Sequence, residues 1–283
     1  MSKGATIKSF IAAIMLLPAT ISCSNDNSEK AQAVLNTAQS LYNNHQYDSA
    51  MSVLDTLYKK FPSETNIVRQ GMHLMAQSQE QLTMLQLVQA DSVINANVPI
   101  VEEIGKDFTV IKNPDLVENY RVYKTIAKNP LINRTGIEPR VDDNGLLYIV
   151  SLLNGKVAKH TKLRVTAPDG ASAETASIPY DKSQNYRFNV EGISNEMVTF
   201  HADQCSDFCK FIADNISKNL KIEFIGSSSY SMSLNNTLKE AIAKSYNYSV
   251  AIQAGLKAEK TKLYLNKRLE IARKQIQQTQ QEL

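Results

Sequence analysis

Cysteine is scarce in this sequence, with three in 283 residues, and the apolar run near its start, Phe10 to Leu17, is only eight residues long. A helix needs roughly 20 apolar residues to cross a bilayer, so a permanent span there is not expected. Signatures of catalysis are also missing. No serine sits in a glycine elbow, no His-Glu-x-x-His occurs, and no glycine-rich phosphate loop ends in Lys-Ser or Lys-Thr. The four histidines, His45, His73, His160 and His201, are scattered, so any acid–base pair must be assembled by the fold. A catalytic reading therefore needs a polar pocket that converges on His160 or His201. The carboxylate pairs Glu102-Glu103 and Asp142-Asp143 read as solvated faces or turns rather than dyads. Excess charge is lacking too: the net is +3, and +1 once Lys3 and Lys8 of the first 22 residues are set aside. A near-neutral chain has no general electrostatic pull toward nucleic acid. Disorder of the whole chain is excluded by its 43% apolar content, enough for a buried core in one or two domains.

What is present begins with a leader: Lys3 and Lys8, the apolar run, then Pro18, Thr20, Ile21, Ser22 and Cys23, followed by the polar residues Ser24 to Glu29. These residues resemble the lipobox of bacterial lipoproteins. Thr20 stands where Leu is common, as in the relaxed lipoboxes of Bacteroidota-type lipoproteins, and Ser24-Asn25-Asp26-Asn27 partly resembles their acidic surface-export signal. The resemblance implies a signal peptide over 1–22, acylation of Cys23 and a polar tether over 23–28. It further implies an outer-membrane address, lipid-anchored and periplasmic or surface-exposed, with the membrane as one partner. The alternative is an ordinary secretory peptide cut near Ser22. Several acyl chains on one cysteine anchor durably where a single chain holds only marginally. With Cys23 so used, Cys205 and Cys209 remain, either paired in an oxidising envelope or as free thiols. On one helix their one-turn spacing lies near the upper limit of disulfide geometry, so pairing favours a loop or a helix end.

From 29 to 62 apolar residues recur at helical spacing, first Ala31 to Tyr42 and then Ala50 to Phe61, with a break at Asn43 to Gln46. Val34, Ala38, Leu41, Tyr47, Ala50, Leu54 and Pro62 fall at hallmark spacings, so this segment resembles one tetratricopeptide repeat. His45 stands where that repeat usually has Gly, and Leu57 where it has Ala. A single unit cannot build the concave groove of an array, so the segment is expected as a helical hairpin. Residues 63–96 predict a long helix opening at Ser63 and Glu64, with a seam of Ile67, Gly71, Leu74, Met75, Ser78, Leu82 and Leu85. The C-terminal helix, within 235–283, carries Leu238, Ile242, Ile252, Leu256, Leu263 and, one step round, Leu265, Leu269, Ala272 and Ile276. The two are candidates for an antiparallel coiled stalk. Two short helices are expected in the connector, 97–136. Lys257, Lys260, Lys262, Lys267, Arg268, Arg273 and Lys274 form a basic stripe, read as the solvated face of a coiled helix.

Residues 137–234 change character. Leu146–Leu153, Lys162–Ala167, Met197–His201, Leu220–Ile225 and Ser229–Leu234 have β-rich composition, with Leu163, Val165 and Ala167 alternating against Lys162, Arg164 and Thr166. Asn144-Gly145 and Asp169-Gly170 predict tight turns, and a helix is expected over Ser206 to Lys218. The fold class is α+β, with long helices and an antiparallel β-rich domain carrying one helix. His201, Cys205 and Cys209 have the residue types of a zinc site, but no fourth ligand is evident, so no metal or other cofactor is expected. Function is expected as a non-catalytic envelope scaffold that binds a protein partner, without nucleic acid. The alternative is a glycan or other small ligand on the β-rich domain, with Tyr148, Tyr180, Tyr186 and Tyr230 as candidates. The outline resembles uncharacterised Bacteroidota-type lipoproteins, which bring no known activity with them.

Overall fold

The protein is described by a computed structural model covering residues 23–112 and 119–283. The signal peptide expected over 1–22 lies outside the described residues, as does the side chain of Cys23. The chain is α+β. It forms two units, one of residues up to Leu85 together with Lys267–Leu283, the other of Gln86–Asn266.

In the first unit, α1 (Cys23–Asn43) and α2 (Tyr47–Lys60) form the expected hairpin, and residues 24–28, expected as a tether, open α1. The turn is made by His45, whose φ of 61° is the left-handed conformation that glycine adopts without strain. Its Nδ1 lies 2.8 Å from the Tyr47 hydroxyl, which fastens the turn to the start of α2. Ala31, Leu35, Ala38, Leu54 and Leu57 fill the hairpin core with Ile67 and Leu74 of α3 (Thr65–Gly105). Leu57 is fully buried, and a Cβ on Gly71 would sit 2.7 Å from its Cδ2. The extra bulk at 57 is thus taken up by a missing side chain at 71.

Helix α3 runs past the expected end at 96 and through Pro99, and it starts at Thr65, with the Glu64 carbonyl accepting the Val68 N–H. Its partner is α6 (Asn236–Glu282). In the first unit His73 Nδ1 lies 2.9 Å from Thr279 Oγ1, Arg268 donates to Gln79 at 2.6 Å, and Arg273 donates to Glu80 at 2.9 Å. Numbers rise on one helix as they fall on the other, so this pairing is antiparallel. In the second unit Lys262 pairs with Asp91 at 2.6 Å. Leu74 and Ser78 are buried as the seam requires, but Leu85 is 51% exposed and Thr83 and Ala90 are buried instead. A helix turning every 3.6 residues drifts off a 3.5-residue stripe, and the buried row moves with it.

The second unit holds two antiparallel sheets where one was expected. Strands β1 (Phe108–Ile111), β2 (Tyr120–Tyr123), β3 (Gly136–Asp142), β4 (Leu147–Asn154), β7 (Asn185–Val190) and β8 (Ile193–Phe200) form a six-stranded sheet in the order β1-β2-β3-β4-β8-β7. β5 (Lys162–Thr166), β6 (Ser172–Glu174), β9 (Lys221–Ile225) and β10 (Ser229–Ser233) form the other, in the order β10-β9-β5-β6. The connector expected as two short helices instead supplies the end of α3, β1, β2 and the single turn α4 (Lys124–Ala127). One core joins the sheets: Ile149, Leu153, Val198 and Phe200 from the first, Leu163, Val165, Ile222 and Phe224 from the second. Phe208 and Ile212 of α5 (Ala202–Asp214), four residues earlier than expected at each end, and Leu238 and Ile242 of α6 complete it. Val165 is buried while Lys162 and Arg164 lie outward, where they pair with Glu174. This is the wet face predicted by the alternation.

Candidate functional site

Of the sequence candidates, His160 gains partners that the sequence did not announce. It lies on the crossing from β4 to β5, where the chain leaves one sheet for the other. Glu196, inward-facing on β8, accepts the backbone N–H groups of Lys159 at 2.7 Å and His160 at 2.9 Å, and its Oε2 is 2.9 Å from His160 Nδ1. His160 Nε2 lies 2.9 Å from Ser151 Oγ on β4. Asn185 Nδ2 on β7 donates to the His160 and Ile178 carbonyls at 3.1 and 2.7 Å. From the second sheet, the Phe224 ring meets the imidazole edge-on at 5.3 Å, and Ser227 Oγ donates to Ala158 O at 3.1 Å.

Burial alone would push the Glu196 carboxyl up. The hydrogen bonds from the His160 ring and from the backbone of His160 and Lys159 overcome it and hold the group below its ordinary value. An ionised Glu196 makes His160 Nδ1 a donor, which leaves Nε2 able to accept from the Ser151 hydroxyl in the neutral ring. The order hydroxyl, imidazole, carboxylate is that of an activated nucleophile. Ser151, His160 and Glu196, however, are each 0% exposed. Surface hollows of about 410, 520 and 320 Å³ are lined by other residues. The array ties β4, β8 and the crossing strand-to-strand with every charged atom satisfied. A sign was legible in sequence. Glu196 shares the inward parity of Val198 and Phe200, and Ser151 that of Ile149 and Leu153, and a charge at a core position demands a partner.

The remaining candidates separate. Cys205 and Cys209 both point into the core from α5 as free thiols, so the disulfide considered from sequence is not formed. One helix holds them a turn apart, at the edge of what a disulfide can bridge. Burial pushes the Cys209 thiol well above its ordinary value, and Cys205 Sγ donates to Phe200 O at 3.3 Å. His201 precedes α5 and faces outward, away from both thiols, and its N–H donates to the Gln204 side chain at 2.7 Å. Among the described residues no group of three or more His, Cys, Asp or Glu side chains is placed to hold a metal. No described helix is long and apolar enough to cross a membrane. Of the basic stripe, Lys262, Arg268 and Arg273 engage α3 and Lys274 pairs with Glu270.

The four tyrosines do not share a face. Tyr230 packs on Phe224 in the four-stranded sheet, and Tyr180, in the loop before β7, is stacked by Arg187 at 4.6 Å. Tyr148 and Tyr186 lie on the outer face of the six-stranded sheet. There Tyr186 stacks on Phe188 at 5.4 Å and donates to Met197 Sδ at 2.8 Å, while Leu131 covers Val150 and Leu152. Beside them runs a row across β2, β3 and β4 to His201, just past the end of β8. The Arg140 guanidinium lies 4.3 Å from the Tyr120 ring centre and donates to Glu138 at 2.7 Å. Tyr148 stands 6.4 Å from Tyr120 and 6.2 Å from His201, ring to ring. Burial, stronger than the opposing Arg140 charge, pushes the Tyr148 phenol up to about 12, so it keeps its proton and stays a hydrogen-bond donor.

No family model matches the chain, and neither a curated protein nor a solved structure matches it.

Proposed function

We propose that this chain is a lipid-anchored protein of the bacterial envelope that works by binding, as a scaffold or interaction module for another envelope protein, and not by catalysis. The observation that carries this reading is the leader ending at Cys23, a short basic and apolar segment followed at once by polar residues. The sealing of the Ser151–His160–Glu196 array supports the non-catalytic part, since its hydroxyl meets the core and not a substrate. The hairpin and the paired stretches of α3 and α6 supply rigid helical surface, on which Met72, Val88, Val98 and Leu263 are each at least 49% exposed.

The test is direct. The protein is expressed in a lipoprotein-processing bacterium fed an alkyne fatty acid, and its N-terminal peptide is read by mass spectrometry. A mature chain that begins with acylated Cys23 is expected; a free Cys23 thiol, or retention of residues 1–22, would sink the proposal.

A second reading, binding of a small ligand by the β-rich unit, is favoured by one specific observation. A sheet with one face in the core normally turns a polar face to water. The four-stranded sheet does so with Lys162, Arg164, Glu174 and Glu223, whereas the six-stranded sheet presents aromatic rings.

A further inference from the structure

We propose that the outer face of the six-stranded sheet binds an uncharged saccharide, which stacks on Tyr148 and His201 and hydrogen-bonds its hydroxyls to Arg140 and Thr199. The inference rests on the ligand-binding reading above and gives it a ligand class. The rings lie in one row: Tyr120, Tyr148 and His201 follow one another at 6.4 and 6.2 Å, with His201 exposed and the tyrosines half-buried. Amphipathic rings held at a surface offer both a stacking plane and a polar edge.

The polar groups are fixed in place beforehand. Arg140 is held by the Tyr120 face on one side and Glu138 on the other, and Glu138 Oε2 also accepts the Leu131 N–H at 3.1 Å. Thr199 stands between them and β7, opposite Val150 in the register of β4 and β8. Preorganised planar groups beside an apolar platform cost little ordering on binding. Charge selects the ligand. Glu138 and Arg140 neutralise each other, and a charged ligand would have to break a pair whose Glu138 side chain is only 6% exposed. A neutral polyol leaves the pair intact and uses the Arg140 N–H groups that the pair does not consume.

The experiment titrates the purified full-length protein with neutral glucan, mannan, galactan and xylan oligosaccharides and with uronate oligosaccharides of matched length, by calorimetry. Binding of at least one neutral class is expected. Tyr148→Ala and His201→Ala should each weaken it roughly tenfold, and Tyr148→Phe, which keeps the ring, should weaken it much less. Thermal melts of each variant separate loss of the face from loss of the fold, and Thr199→Val serves as a second probe that leaves the packing volume unchanged. Failure of every neutral saccharide to bind would overturn the proposal, as would uronates binding equally well or affinity indifferent to Tyr148 and His201. These outcomes leave acylation of Cys23 untouched, so failure here and failure of the anchor are read separately.

Discussion

Two residues show how local chemistry fixes this structure. His45 occupies a left-handed position at φ 61°, which costs a residue with a Cβ roughly 1 kcal/mol, and recovers part of it through Tyr47. His45→Gly should therefore leave the melting temperature nearly unchanged, while His45→Val, branched at Cβ and without the ring nitrogen, should lower stability by about 1–3 kcal/mol in urea titration. Glu196 holds two backbone N–H groups and an imidazole in the core. Its folded-state value is lowered, so its contribution is fully present above its unfolded value near 4.5 and is lost as pH falls through the lower folded one. Glu196→Ala should cost about 3–5 kcal/mol at neutral pH, and the loss should shrink below pH 4 because the native protein then forfeits the same interaction. A cost that is constant down to pH 2 would contradict an ionised Glu196. The hydroxyl–imidazole–carboxylate array as a whole was out of reach of sequence, because Ser151, His160 and Glu196 come from separate segments and none carries a local motif.

At the scale of elements, the two turns read from Asn144-Gly145 and Asp169-Gly170 are both real, and they differ in what surrounds them. Gly145 has φ 75°, and a Cβ there would lie 2.2 Å from Ile252 Cγ2 of α6; Gly170 has φ 85° and nothing within 4 Å. Gly170→Ala pays only backbone strain, about 1 kcal/mol, whereas Gly145→Ala adds an overpacked contact worth about 1–3 kcal/mol more. Chemical denaturation of the pair checks the difference. For α5, both thiols should resist a thiol reagent in the folded protein and react without reductant once the chain is unfolded in urea; two unreactive cysteines under the second condition would mean a disulfide. Elements with strong period-two or helical patterning were legible in sequence, as Leu163, Val165 and Ala167 show. The connector was not. Its prolines suggested breaks, yet α3 continues through Pro99, and the four-residue strands Phe108–Ile111 and Tyr120–Tyr123 are too short for alternation to announce them. Strand β7, with Tyr186 and Phe188 outward, shares its inward side with the polar Asn185, so alternation of apolar residues does not announce it.

For the whole molecule, the long helices matter most, since each of the two units contains part of α3 and part of α6 and the pairing of those parts is antiparallel in the first. Of the two rows read on α6, the one carrying Leu265 is buried at that level and Leu263 is not, at 4% and 61% exposed. The candidate site divides the same way. Tyr148 and His201 were visible as residue types, but their meeting in one row depends on the register of β3, β4 and β8. The proposed address of the molecule rests on Cys23 alone. It is tested by fractionating cells that express the full chain or its Cys23→Ala variant and following the protein through carbonate washing. The wild-type chain should stay with the outer membrane and the variant should be released to the soluble fraction; a variant that still sediments with membranes would contradict the account.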